Sequence, residues 1–299
     1  MARAMAELER GILSASERRG ARARMVLWIS RVVLLVLLVI SGLLPLLWLA
    51  KSSVSTTQDT ISDPLALFPS GEVRWGNLAQ AWTEGRIGGF LLNTAEIAAG
   101  TVILTLIVSL TAAYVASVLR PRWASAFMGA ILATLFIPGV ISLVPLYLTV
   151  LSVPPFDLNL LNTYWAIWLP ASANAVAIVI VKRFFDGIPH ELFDAARVDG
   201  AGPFRVFVSI VLPLSRPIIG VVALLTAVNS WKDFLWPLIV ISDGSRQPIS
   251  VALAQSSQWI ELSLQLSGMF LALLVPVLLF IVFQRSFLRG VSASGGIKG

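Results

Sequence analysis

Residues 191 to 217, ELFDAARVDGAGPFRVFVSIVLPLSRP, set a polar segment with fixed Gly and Pro stops between two long apolar runs. Pro189 suits the first turn of a helix, where its missing N–H leaves no bond unmade, and Glu191 complements the positive pole of the helix dipole. Leu192, Phe193 and Ala196 share one face, while Asp194 and Arg197 lie nearer the other. Gly200 offers the left-handed position just past a helix end. The expected element is an amphipathic helix of about three turns. After Ala201 and Gly202, Pro203 opens a second helix with Phe204, Phe207, Val208 and Val211 at helical spacing, until Pro213 and Pro217 bend the chain onward.

The surrounding composition names the solvent. With 57% hydrophobic and 13% charged residues, a mean hydropathy of +0.85 and apolar residues gathered in long runs, the chain reads as an integral membrane protein. The net charge of +6 sits at the edges of those runs, where it orients spans and meets anionic headgroups of membrane lipid, so nucleic acid is not the expected partner. Without cysteine there are no disulfides or thiolate metal sites, and the single His190 cannot build a histidine metal cluster or relay.

A bilayer core takes about 20 apolar helical residues. Val32 to Ala50, Ile97 to Leu119, Leu158 to Val181 and Leu262 to Gln284 qualify. Trp123 to Phe156 is too long for one straight span, and Pro138, Pro145, Pro154 and Pro155 predict one bent helix with an extended exit. Pro217 to Ile241, interrupted by Lys232 and Asp233, is read as one span containing polar residues. The expected fold class is an all-α membrane protein with six transmembrane helices and both termini cytoplasmic. Its segments are a basic N-terminal stretch (1–24), a six-helix domain (25–290) and a C-terminal tail (291–299).

Charge asymmetry supports that partition. Every Arg before Met25, then Arg120, Arg122, Lys182, Arg183, Arg197, Arg205, Arg216, Arg285, Arg289 and Lys298 fall on inside segments. Lys51, Arg74, Arg86, Lys232 and Arg246 fall outside, with Arg31 at a helix entry, as the positive-inside rule requires of cytoplasmic termini. The first apolar run is longer than a signal-peptide core and no clear A-x-A site follows, so it reads as a retained helix. Residues 51 to 86 read as an outside loop with a short helix around Asn77 to Thr83.

The plain reading of the elbow is a helix lying on headgroups. Against it, Asp186, Glu191, Asp194 and Asp199 balance Lys182, Arg183, Arg197 and Arg205, and an acidic helix gains little from an anionic leaflet. A protein partner fits that balance better.

Here a resemblance enters. Asp194-Ala195-Ala196, three residues, Gly200, nine residues and Ile210-Val211-Leu212-Pro213 resembles the EAA loop of bacterial ABC importer permeases, with Asp194 in place of the usual Glu. Asp199-Gly200-Ala201 is similar to the D-G-A of the carbohydrate-uptake branch. Trp231-Lys232-Asp233-Phe234-Leu235-Trp236-Pro237-Leu238 resembles the W-N-D-F-L-W-P-L of MalG-like sugar permeases, with Lys232 replacing Asn, and Gly296-Ile297-Lys298-Gly299 resembles their G-x-K-G tail.

The resemblance implies a cytoplasmic coupling helix between spans 4 and 5 that docks into a groove on an ATPase dimer. Glu191, Leu192, Phe193, Asp194, Ala195, Ala196, Asp199, Gly200 and Ala201 are the coupling residues: Leu192, Phe193, Ala195 and Ala196 fit the groove, Asp194 makes polar contact and Gly200 supplies the bend. It further implies a second permease subunit, an extracytoplasmic substrate-binding protein, and a bacterial plasma-membrane location. No G-x-x-x-x-G-K-[ST] loop occurs in the sequence, so ATP and Mg are expected on the partner ATPase, with no cofactor on this chain and no enzymatic site of its own.

Polar residues inside a span are functional candidates. Asn229 and Asp233, four apart on one helical face, with Trp231 and Lys232 between them, line a translocation path in one reading and tie neighbouring helices together in the other. Asn174 and Glu96 pose the same question. Residues 242 to 261, with Trp259, read either as a solvated connector or, by the resemblance, as a loop reaching a substrate-binding protein. The rival class is a self-contained, ion-gradient-driven carrier or channel, but no paired repeat with matching broken helices is visible in the sequence.

Overall fold

The computed structural model describes residues 21–256 and 261–295. The basic residues Arg3 to Arg19, Trp259 and the Gly296 to Gly299 tail lie outside them. The described chain is helical, its only extended pairing being an isolated antiparallel bridge between Val153 and Leu158.

The first helix, α1 (Ala21–Ser53), exposes its apolar stretch along its length and packs beside the last helix. Two short helices follow outside the bundle, α2 (Thr57–Ser62) and α3 (Gly76–Thr83), the second where the sequence places it. The central post is α4 (Ile87–Leu119), which ends in a π-helical turn at Val115–Leu119. Its buried face carries small and hydroxylated residues, Thr94, Thr101, Thr105 and Ser109, which let neighbouring helices come close. Thr94 and Thr101 return their hydroxyls to carbonyls one turn back, so those two groups are not left bare.

Three pairs of helices bend sharply. The run expected as one bent span is α5 (Ala124–Thr134) and α6 (Gly139–Leu151), crossing at 100°. The fourth run is α7 (Trp165–Ser172) and α8 (Ala175–Asp186), bent by 44°. Asn174 sits at that break and caps α8, its side-chain oxygen accepting from the Ala177 N–H at 2.9 Å. The elbow supplies α9 (His190–Val198) and α10 (Pro203–Leu214), and α10 turns by 76° into α11 (Arg216–Lys232). Beyond lie α12 (Leu235–Val240), α13 (Ile249–Ser256) and α14 (Leu262–Gly295).

The continuous span expected from Pro217 to Ile241 is therefore not formed: α11 stops at Lys232 and Asp233 is extended, with φ −65° and ψ 127°. Pro237 is the physical cause, because in a continuous helix its ring would collide with the carbonyl of Asp233, four residues back. Three single helices are long and apolar enough to cross a membrane, or up to six spans if each bent pair counts as one.

Two apolar cores clamp the post at different heights. Near the elbow, Leu110, Ala113 and Tyr114 of α4 meet Val181 and Phe185 of α8, Phe193 and Ala196 of α9, and Val222 of α11. Nearer the other end, Ile97 meets Val150, Ile167, Trp236, Val240 and Ile241. These clusters fix α11 between the elbow and the region around Asp233.

Candidate functional site

At the elbow, Pro189 occupies the position just before α9, with φ −55° and ψ 129°, one place earlier than its expected seat in the first turn. Gly200 adopts φ +74°. The Ala201 N–H donates to the Ala196 carbonyl at 2.9 Å and the Gly200 N–H to the Arg197 carbonyl at 3.0 Å, the paired bonds of a Schellman stop. Pro203 then starts α10 as its first residue, with the Val206 N–H returning to the Gly202 carbonyl.

The elbow is braced against the bundle by polar bonds that sequence reading did not single out. The Tyr114 hydroxyl donates to the Pro203 carbonyl at 2.8 Å, and its ring lies 4.9 Å from that of Phe207. Ser117 Oγ donates to Asp186 Oδ1 at 2.6 Å, while Lys182 Nζ holds Asp186 Oδ2 at 2.7 Å. Serine and tyrosine at the end of an apolar helix are the only sequence signal for these ties; their partners lie far along the chain.

The docking set expected from sequence divides in two. Phe193 and Ala196 are 4% and 7% exposed and pack in the elbow core, Ala196 also bordering the hollow beside α9. Both lie on the apolar face of α9 that packs against the bundle. Glu191, Leu192, Asp194, Ala195, Asp199 and Gly200 face outward, and Ala201 is half-buried. Asp194 pairs with Arg197 at 3.0 Å in the open. Leu192, Ala195, Ala196, Asp199 and Ala201 line a hollow of about 270 Å³, which Arg205, Ser209 and Ile210 of α10 complete. Arg205 and Ser209 carried no motif, while Ile210 opens the Ile210-Val211-Leu212-Pro213 match.

The second site is a polar cavity of about 380 Å³ where α11 ends. It is lined by Thr101 of α4, Ile167 and Ala171 of α7, Asn174, and Thr226, Asn229, Ser230, Lys232 and Asp233. Asn229, Lys232 and Asp233 are thus brought together, joined by Asn174. Asp233 does not continue the helical face of Asn229, because α11 has already ended; the Phe234 and Trp236 backbone N–H groups face its carboxyl instead. Trp231 lies elsewhere. Its side chain packs with Ala81, Ile87 and Ile249 and borders a separate, mostly apolar crevice with Trp82 and Val275, away from the polar cavity. Glu96 is exposed and outside the cavity lining.

Residues 242–248 are tied to the bundle by hydrogen bonds. Asn162 Oδ1 accepts from the Ser242 N–H and the Asp243 N–H, Arg246 donates to the Asn162 carbonyl, and Asn93 donates to the carbonyls of Ser245 and Gln247. The Ser245 hydroxyl and N–H, both donating to Asp243, hold its carboxyl below the usual range against a smaller push from burial.

Comparison with known proteins agrees with this architecture. Residues 105–293 match the family described as binding-protein-dependent transport system inner membrane component, which takes in the elbow and all of the cavity lining but Thr101. The chain is 32% identical over 271 residues to a probable ABC transporter permease, YurM, of Bacillus subtilis, covering 89% of this chain and 87% of that one. It is 30% identical to the sn-glycerol-3-phosphate transport system permease UgpE of Agrobacterium fabrum, covering 88% and 96%. It is 32% identical to the arabinooligosaccharides transport system permease AraQ of Halalkalibacterium halodurans, covering 85% and 91%. A chain of a bacterial ABC transporter involved in import of the acidic polysaccharide alginate shares the fold, with a TM-score of 0.76 at 19% identity over 92% of this chain and 99% of that one. The multi-pass helical bundle, the EAA-type elbow and these matches place the chain in the binding-protein-dependent transport system inner membrane component family, the non-enzymatic permeases of ABC transporters.

Proposed function

We propose that this protein is the permease subunit of an ATP-driven importer in a bacterial plasma membrane, with six spans and both termini in the cytoplasm. It pairs with a second permease, takes a carbohydrate or related solute from an extracytoplasmic binding protein, and is moved by a cytoplasmic ATPase dimer that holds ATP and Mg. The exposed side of α9 and the hollow beneath it dock the ATPase through Leu192, Ala195 and Asp199, with Gly200 ending the docking helix.

One observation carries the reading: α11 leaves the elbow at Arg216 and ends at the polar cavity at Lys232. Seventeen residues make a rod of about 25 Å. Displacing the elbow displaces the cavity wall formed by Thr226, Asn229 and Ser230, which is how closure of a distant ATPase can open or shut a solute path. The relatives whose names state a cargo act on arabinooligosaccharides and sn-glycerol 3-phosphate, and the structural relative's complex takes part in alginate import. The solute class proposed here spans such carbohydrates and polyol derivatives.

The test is uptake by the purified complex in vesicles. ATP-dependent uptake that requires the ATPase subunits supports the proposal; solute movement of equal rate without them, driven by an ion gradient, would replace it with a self-contained carrier.

A further inference from the structure

The chain has four lysines, of which Lys51, Lys182 and Lys232 are described. Lys51 lies 3.7 Å from Asp59 and Lys182 lies 2.7 Å from Asp186. Among the described residues Lys232 alone of the three has no carboxylate in ion-pair range, although Asp233 is its neighbour in sequence. The reason is conformational. The helix ends at Lys232, Asp233 turns to extended backbone, and its carboxyl faces the N–H groups of Phe234 and Trp236. Lys232 is left on the cavity wall with Asn174, Asn229 and Ser230, and with Asp233, whose carboxyl is engaged by the backbone N–H groups of Phe234 and Trp236.

Lys232 is exposed to the cavity from the last turn of α11. A neutral solute would leave its ammonium group without a counter-charge. A carboxylate or phosphate entering the cavity would form a charge-assisted hydrogen bond with Nζ, roughly twice as strong as a neutral one. The neutral amides and hydroxyls around it suit the hydroxyls of a sugar or polyol.

We propose that the cavity takes an anionic carbohydrate or polyol, carrying a carboxylate or a phosphate, and that Lys232 is the residue that selects for the charge. This inference rests on the importer reading and goes beyond it.

The complete complex, with its binding protein and ATPase, is assembled in vesicles and offered radiolabelled digalacturonate, its neutral counterpart galactobiose, and sn-glycerol 3-phosphate. ATP-dependent uptake of an anion above the neutral disaccharide is expected, with digalacturonate marking a carboxylate cargo and glycerol phosphate a phosphate cargo. Lys232→Asn lowers the anion-to-neutral uptake ratio by about tenfold or more, and Lys232→Arg retains most of it. Uptake of galactobiose alone, uptake of neither anion, or an unchanged ratio in Lys232→Asn overturns the inference. Loss of binding-protein-stimulated ATP hydrolysis in the wild-type complex would overturn the importer reading itself, a distinct result.

Discussion

The hydroxyl of Tyr114, in the last turn of the α-helical part of α4, donates to the carbonyl of Pro203, the first residue of α10, at 2.8 Å. The central post and the second elbow helix are thereby joined by a polar bond inside an apolar cluster. Tyr114→Phe keeps the ring against Phe207 and removes only the bond. The expected loss of stability is about 1 kcal/mol, read as a lower melting temperature in detergent. More ATP should also be hydrolysed per solute imported, because the elbow can shift without carrying the post. An unchanged ratio of hydrolysis to uptake would show that this bond transmits nothing.

Gly200 stands at φ +74° with open space where a Cβ would be added. Substitution there is a backbone test without steric interference. Gly200→Ala should cost about 1–2 kcal/mol for the left-handed conformation. Gly200→Pro cannot adopt that φ and also deletes the N–H that closes on the Arg197 carbonyl. The alanine variant is expected to retain partial co-purification with the ATPase and the proline variant to insert in the membrane without it. Full association of Gly200→Pro would remove the Schellman stop from the coupling account.

Ala195 and Ala196 are adjacent in sequence and both border the hollow, but the first is exposed and the second is buried against the bundle. Ala195→Trp should leave the melting temperature near wild type and abolish ATPase binding by filling the hollow. Ala196→Trp should destabilise the protein itself by overpacking, by about 1–3 kcal/mol or more. Equal melting temperatures for the two variants would contradict the division of the elbow into an inner and an outer face.

That division also marks the limit of what the sequence makes legible. Gly200 and Pro203 are local signals, and the structure puts a left-handed turn at the one and a helix start at the other because backbone geometry depends on the residue itself. The amphipathic pattern of α9 is equally legible, but periodicity says only that Phe193 and Ala196 share a face, not whether the chain or a partner covers it. The same holds for Trp231, one residue from the polar cavity and turned away from it by the rotation of α11 against α4 and α14. The break at Asp233 was readable from Pro237 four residues on, and was hidden by the apolar run from Phe234 to Ile241. Pairings such as Ser117 with Asp186 join helices far apart in sequence and leave no trace in either.

Gly100 faces Trp168. A Cβ at Gly100 would overlap the indole ring, whose N–H donates to the Ile97 carbonyl at 3.0 Å. Trp168 therefore lies across the post one turn from Ile97, where only glycine leaves room. Gly100→Ala must displace the ring and its bond together, at an expected cost of about 1–3 kcal/mol. The check is a melting curve of the single variant beside Gly100→Ala/Trp168→Phe, in which the smaller ring relieves the overlap. A wild-type melting temperature in Gly100→Ala would mean that the close approach of α4 and α7 tolerates the methyl group.

Lys51 is 5% exposed at the end of α1 and lies 3.7 Å from Asp59 in α2, the pair that secures the outer segment to the bundle. Burial pushes the Asp59 carboxyl up, but the bond from the Ser70 N–H, the nearby Ser55 hydroxyl and the Lys51 charge outweigh it and leave the group below its ordinary value. A carboxyl lowered by folding stabilises the folded state above its unfolded pKa, and that contribution is lost as pH falls through the folded value. The outer segment should accordingly loosen on acidification below the ordinary carboxylate range and be insensitive to pH between 6 and 8, in the sense of about no change in melting temperature. Asp59→Asn should lower the melting temperature at pH 7, since it leaves the Lys51 ammonium buried without its counter-charge, and should flatten the acid limb of the profile. Replacing both residues, Lys51→Met with Asp59→Leu, should recover much of the loss, because an apolar pair removes the unpaired charge along with the ion pair. Thermal melts of the three proteins from neutral to acid pH decide the matter: if Asp59→Asn keeps both the wild-type midpoint and the wild-type acid limb, the pair does not hold the outer segment in place.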